Sequence, residues 1–301
     1  MTASPRFEIA PDEGQRWTEL GHHIRMAGFM LNACPTPTEA SPLKAADDLF
    51  PLRPLSMTLR RMLVASYDHV AQWPDLVTPT QVFEGQQALV SPRPVFSYAR
   101  SGMEAAGVVA WVLESADIRE GVARHQSLTH QDLGEQLKAY NSAGDSATAA
   151  DVAQRIELLE QHAFGGKAPA KVPYVERVKA GARLAGLDEG RADYLWRLAS
   201  AASHGQEWFY DDAFEPIAEP DGRGHRPRGE QMVEVLEYAA GILTSATFRF
   251  VENCGYEPGD ALAQSWIELT ETMPLKAGAT PSSVRANSKI LAALKPRAGT
   301  A

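Results

Sequence analysis

Apolar residues recur at three- and four-residue intervals through most of this chain, and period-two alternation persists nowhere. That pattern builds helices with one buried stripe, not strands with a wet and a dry face. Trp17, Leu20, Ile24, Ala27 and Leu31 predict a helix over residues 15–32, stopped by Cys34-Pro35-Thr36-Pro37 and followed by a polar linker. Leu55, Leu59, Met62, Leu63, Tyr67 and Val70 predict a second helix, opened by Pro54 and ending near Trp73-Pro74. Residues 74–94 hold Pro74, Pro79, Pro92 and Pro94 and read as a crossing segment with at most one short strand.

Downstream, residues 95–114 form a helix rich in small residues (Gly102, Ala105, Ala106, Gly107, Ala110), which lets another helix approach closely. Residues 119–139 and 145–164 read as a helical hairpin, with Gly144 as the stop. A helix over 173–185 ends at Gly186, and another runs over 188–204. Residues 205–229 are rich in glycine, proline and charge and read as a long surface loop. Helices follow over 230–253 and 258–273, with a short one at 288–294. The fold class is therefore all-α, a multi-helix bundle.

Charge and cysteine content narrow the functional classes. The net charge is −9, but from Leu275 onward there are five cations (Lys276, Arg285, Lys289, Lys295, Arg297) and no acid, so the remainder carries −14. An acidic body repels nucleic acid at long range, whereas a basic tail is either a solvated arm or a local nucleic-acid contact. Cys34 and Cys254 belong to no Cys-x-x-Cys or Cys/His cluster, so neither a disulfide framework nor a metal site is expected. The cysteine usage and the absence of a basic-then-apolar leader predict a cytoplasmic protein. The most apolar stretch, 107–113, is too short to span a bilayer, so no membrane partner is expected. No GxSxG, HExxH or GxGxxG occurs, which leaves no expected cofactor.

Two constellations carry chemistry. Arg197 and His204 are seven positions apart on one predicted helix. Seven residues return to within about 20° of the start and rise about 10 Å, so the two share a face. His moves protons near neutral pH and Arg holds phosphate oxygens through several donors, so the pair could cleave RNA without a metal. Tyr194, Ala201 and Trp208 extend that stripe if the helix continues, while Leu195, Leu198 and Ala202 face the core. The second constellation is Arg100 and Glu104, an i,i+4 pair on the small-residue helix. It reads either as support, with Glu104 orienting His204 or Arg100 adding a phosphate contact, or as a salt bridge between packed helices.

The segment from Tyr194 through Ser200 to His204-Gly205 resembles a Y…LS…HG signature of bacterial helical proteins. Those proteins also carry an upstream helix of the kind formed here by Arg100-Ser101-Gly102-Met103-Glu104-Ala105-Ala106 and Trp111-Val112-Leu113. They are in turn remotely similar to the HEPN superfamily (higher eukaryotes and prokaryotes nucleotide-binding domain), over roughly residues 94–254. The resemblance implies a helical bundle, often a homodimer, with an Arg-x4–6-His motif at a dimer cleft that cuts RNA without metal. Arg197 and His204 match that motif with six residues between, although Leu198 stands where active members place a polar residue. The resulting division is 1–93 as N-terminal helices and Pro-rich linker, 94–274 as a HEPN-like bundle, and 275–301 as a basic tail. Two functions stay open: a HEPN-type RNase using Arg197 and His204 with Arg100 and Glu104 in support, or a non-catalytic binding or scaffold module in which the same residues form a structural polar network.

Overall fold

The computed structural model describes residues 11–77, 91–163, 172–217 and 224–272 of the 301. The described residues form eleven helices and one two-stranded hairpin. In chain order these are α1 (Pro11–Ala33), α2 (Pro42–Leu49), α3 (Leu55–Val77), α4 (Pro92–Leu113), α5 (Ile118–Ala143), α6 (Ser146–Gln161), α7 (Tyr174–Ala185), α8 (Glu189–His204), α9 (Trp208–Ala213), β1 (Phe214–Ile217), β2 (Gly224–Pro227), α10 (Gly229–Asn253) and α11 (Pro258–Thr272). The all-α bundle read from the periodicity is the fold observed.

Helix boundaries follow local chemistry. The side chains of Asp117, Asp145 and Asp188 accept backbone N–H bonds at the starts of α5, α6 and α8, satisfying donors that a helix leaves open at its first turn. Gly144, Gly186 and Gly205 end α5, α7 and α8 with φ near +70°, a conformation that costs glycine nothing and other residues about 1 kcal/mol or more.

The bundle is organised around α4, which packs against α3, α7, α8 and α10. Its buried face runs from Val95 and Phe96 through Ala99, Met103 and Ala106 to Val112. The expected close approach is made at Gly107 against α7, where an added Cβ would lie 2.6 Å from the Arg177 carbonyl oxygen. Gly181 returns the approach, its own missing Cβ lying 3.4 Å from the Gly107 Cα. Two glycines facing each other thus bring α4 and α7 nearly backbone to backbone. The N-terminal helix α1 packs on α3, α10 and α11, and α5 packs on α6 and α2. One buried apolar cluster runs continuously from Trp17 on α1 to Cys254 beyond α10.

Four expectations are corrected. The polar linker after Pro37 contains α2, whose start is set by Ser41 accepting from the Lys44 N–H and by Pro42 in the first turn. α3 continues past Pro74 to Val77: the proline forfeits its own N–H bond one turn from the helix end, and the Pro74 carbonyl, in that last turn, accepts from Arg25 on α1. The described part of 205–229 (205–217 and 224–229) is not a long loop. It holds α9 and an antiparallel pair in which Phe214 faces Pro227 and Ile217 faces Gly224. α4 begins at Pro92, so with Pro74 three of the prolines assigned to the crossing segment are helical. The rest of that segment (78–90), the basic tail and the helix at 288–294 lie outside the described residues. Among the described residues no helix is long and apolar enough to cross a membrane.

Candidate functional site at the α4–α8 junction

α4 and α8 cross with their polar edges in register. Leu195, Leu198 and Ala202 are buried, as the helical spacing requires. Positions 196 and 203, one residue later around the same helix, then face the edge of α4. There Ser203 Oγ lies 2.9 Å from Ser97 Oγ and 3.0 Å from the Ala199 carbonyl, within hydrogen-bond reach of both. Arg93 donates to the Ala202 carbonyl at 3.1 Å and lies 4.9 Å from the centre of the Phe209 ring, so the last turn of α8 is held from α4.

The central group is Glu104. Its Oε1 accepts from Arg100 Nε at 2.8 Å and from Trp196 Nε1 at 2.7 Å. The Arg100 guanidinium also lies 5.7 Å from the Trp196 ring centre. The side chains of Arg100 and Glu104 are about one-fifth exposed, so this carboxylate draws two donors together at a sheltered helix crossing. The i,i+4 pair read from the sequence is present. Its third member, Trp196, was not singled out, although it stands beside Arg197 and its N–H donor needs a partner when sheltered.

Arg197 and His204 each have a different neighbour. Arg197 donates Nε to Asp193 Oδ1, one turn back on α8, at 2.7 Å, and its side chain is 60% exposed. No hydrogen bond joins it to His204. The Asp193-x-x-x-Arg197 spacing was a readable signal for this competing partner. His204 is exposed in the last turn of α8, where the Gly205 cap ends the helix. Its polar neighbour is Arg100, with Nη1 3.4 Å from Nε2. Glu104 makes no hydrogen bond to His204; its accepting oxygen serves Arg100 and Trp196 instead.

The stripe anticipated beyond His204 also changes. Ala201 is a core residue, and Trp208 opens the separate helix α9 with its indole N–H donating to Gln206. Tyr194 turns to α9 as well: its hydroxyl donates to Asp212 Oδ2 at 2.9 Å. Burial first, and then the adjoining Asp212 carboxylate, push the Tyr194 hydroxyl above its ordinary pKa. His125 and His130 point to different partners, the Arg53 carbonyl and the Glu160 carboxylate. Among the described residues, no three His, Cys, Asp or Glu side chains are grouped as metal ligands. Comparison with protein-family models, with curated proteins and with solved structures finds no match for this chain.

Proposed function

We propose that the chain is a non-catalytic helical binding or scaffold module in which Arg100, Glu104 and Trp196 form a structural clamp between α4 and α8. The observation that carries this reading is the double acceptance at Glu104 Oε1. A metal-free RNA cleavage site needs a histidine oriented to take a proton and a cation free to meet the phosphorane. Here the carboxylate that would orient the histidine is engaged by an indole and a guanidinium, and Arg197 is drawn to Asp193. A HEPN-like core over residues 94–274 belongs to the same reading. Its support is that the two motif-bearing helices, α4 and α8, pack side by side, with α7 and α10 completing a four-helix group.

A second reading, a HEPN-type RNase, is favoured by one feature: His204 is exposed and an arginine stands 3.4 Å from it. In that reading Arg100 rather than Arg197 is the nearer cation, Arg197 swings from a surface pair of the kind worth about 0.5 kcal/mol, and a homodimer partner completes the cleft for RNA.

A double-mutant cycle tests the clamp. Glu104→Ala and Trp196→Phe are each made alone and together, and unfolding free energies are compared. A hydrogen-bonded, sheltered pair gives a coupling of about 1–2 kcal/mol. Under the structural reading Arg197→Ala and His204→Ala, both on exposed side chains, stay within about 0.5 kcal/mol of the parent. Strict additivity of the two clamp substitutions contradicts it.

A further inference from the structure

Away from the α4–α8 junction, an open cavity of about 140 Å³ lies between the α2–α3 turn and the α5–α6 hairpin. Phe50, Leu133 and Leu159 form its buried wall. Leu52 and Leu158 stand at its mouth, 59% and 42% exposed. Large aliphatic side chains held against solvent around a concave surface mark a place where apolar matter would be favourably buried.

The polar part of the lining is one-sided. It holds two guanidiniums, Arg53 and Arg155, and no carboxylate. Arg53 reaches out of the cavity to Asp132, 3.2 Å away. Arg155 makes no ion pair, hydrogen bond or ring contact among the described residues, on a chain whose net charge is −9. The third polar group is Thr129. It is only 5% exposed, and its hydroxyl is buried with no hydrogen-bond partner. With so little surface of its own the hydroxyl does not open into the cavity, and the accessible polar chemistry of the lining is cationic.

Apolar walls and an uncommitted cation together describe the complement of an amphipathic anion. We propose that this cavity binds a small apolar monocarboxylate. The volume sets its size, because a cavity of about 150 Å³ holds a benzene-sized molecule; the acid carries one aromatic ring or a chain of about six carbons. Its apolar body lies against Phe50, Leu133 and Leu159. Its carboxylate meets Arg155, through the charge-assisted fork that guanidinium makes with carboxylate. The site shares no residue with the α4–α8 junction and stands or falls apart from the function proposed there.

Isothermal titration calorimetry on the full chain, with benzoate and hexanoate as probes and benzamide and hexanamide as neutral controls, tests the assignment. The expected result is one saturable site for an acid, with Kd below about 1 mM, as ligands of this size allow. The matching amide binds about tenfold more weakly. Arg155→Gln and Leu158→Asp, both on exposed side chains and so compatible with folding, each weaken the acid about tenfold. No saturable binding of either acid, equal binding of acid and amide, or an unchanged Kd in a folded Arg155→Gln variant would overturn the proposal.

Discussion

His125 lies on α5, fully enclosed, with its ring edge-on to Phe50 and Nε2 donating to the Arg53 carbonyl at 2.8 Å. Its Nδ1 is buried without a partner. Burial, the largest cause, drives its pKa from the ordinary 6.5 down to about 4, against the opposing pull of the Arg53 carbonyl. The consequence for stability has a definite sign. Above pH 6.5 the imidazole is neutral folded and unfolded, and contributes no pH dependence. Between 6.5 and about 4 the unfolded chain binds a proton that the folded chain refuses, so acid favours unfolding. Below about 4 both forms are protonated and the effect is complete. Over that interval, at about 1.4 kcal/mol per pH unit, the loss is about 3 kcal/mol. The comparison protein is His125→Gln, whose amide can still donate to the Arg53 carbonyl but cannot titrate. Urea unfolding followed by tryptophan fluorescence, at pH 7.5, 5.5 and 4, gives both stabilities with the carboxylate background common to the two. The wild-type chain should lose about 3 kcal/mol more than the variant on acidification. Parallel decline of the two proteins would refute the reasoning, because a histidine that protonates equally well in both states is not enclosed as described.

Two further expectations concern packing. Gly107→Ala places a methyl 2.6 Å from the Arg177 carbonyl oxygen and should cost about 2–3 kcal/mol in chemical denaturation. Gly134→Ala, mid-helix on α5 with nothing within 4 Å of the added methyl, should instead stabilise by about 0.5–1 kcal/mol. Cys34 and Cys254 are 1% and 0% exposed, and burial pushes the Cys254 thiol up to about 12. Both should resist a thiol-specific chromogenic reagent at pH 8, reacting at least about 1,000-fold more slowly than a free thiol until urea unfolds the chain.

The fold was legible because most of its helices carry a continuous apolar stripe and end in chemistry that a sequence displays. Gly144 and Gly186 are read as stops and act as stops. What was missed is short or held from elsewhere. α2 has eight residues and only two buried side chains, too few to declare a period. β1 and β2 have four residues each, and Pro216 and Pro227 interrupt the usual strand signature. α3 runs through Pro74 with help from Arg25, which stands 49 positions earlier.

The site shows the same division between local and distant information. The Arg100–Glu104 pair is local and was readable from an i,i+4 spacing. The shared face of Arg197 and His204 is also local, but a shared face does not say which group each side chain bonds. Asp193 lies closer along the helix and takes the arginine. The neighbours that decide the chemistry arrive from another helix: Glu104 for Trp196, across 92 positions, and Arg100 for His204, across 104. No periodicity within α8 announces them.

The central claim is that the α4–α8 junction is a clamp and not a catalytic centre. RNA incubated in EDTA with the purified chain and with its His204→Ala, Arg197→Ala and Arg100→Ala variants addresses it directly. The account predicts that none of the four proteins cleaves, while Arg100→Ala alone loses thermal stability through the clamp. Cleavage by the parent that survives chelation and disappears in folded His204→Ala and Arg197→Ala would contradict it and establish the Arg-x6-His pair as an RNase site.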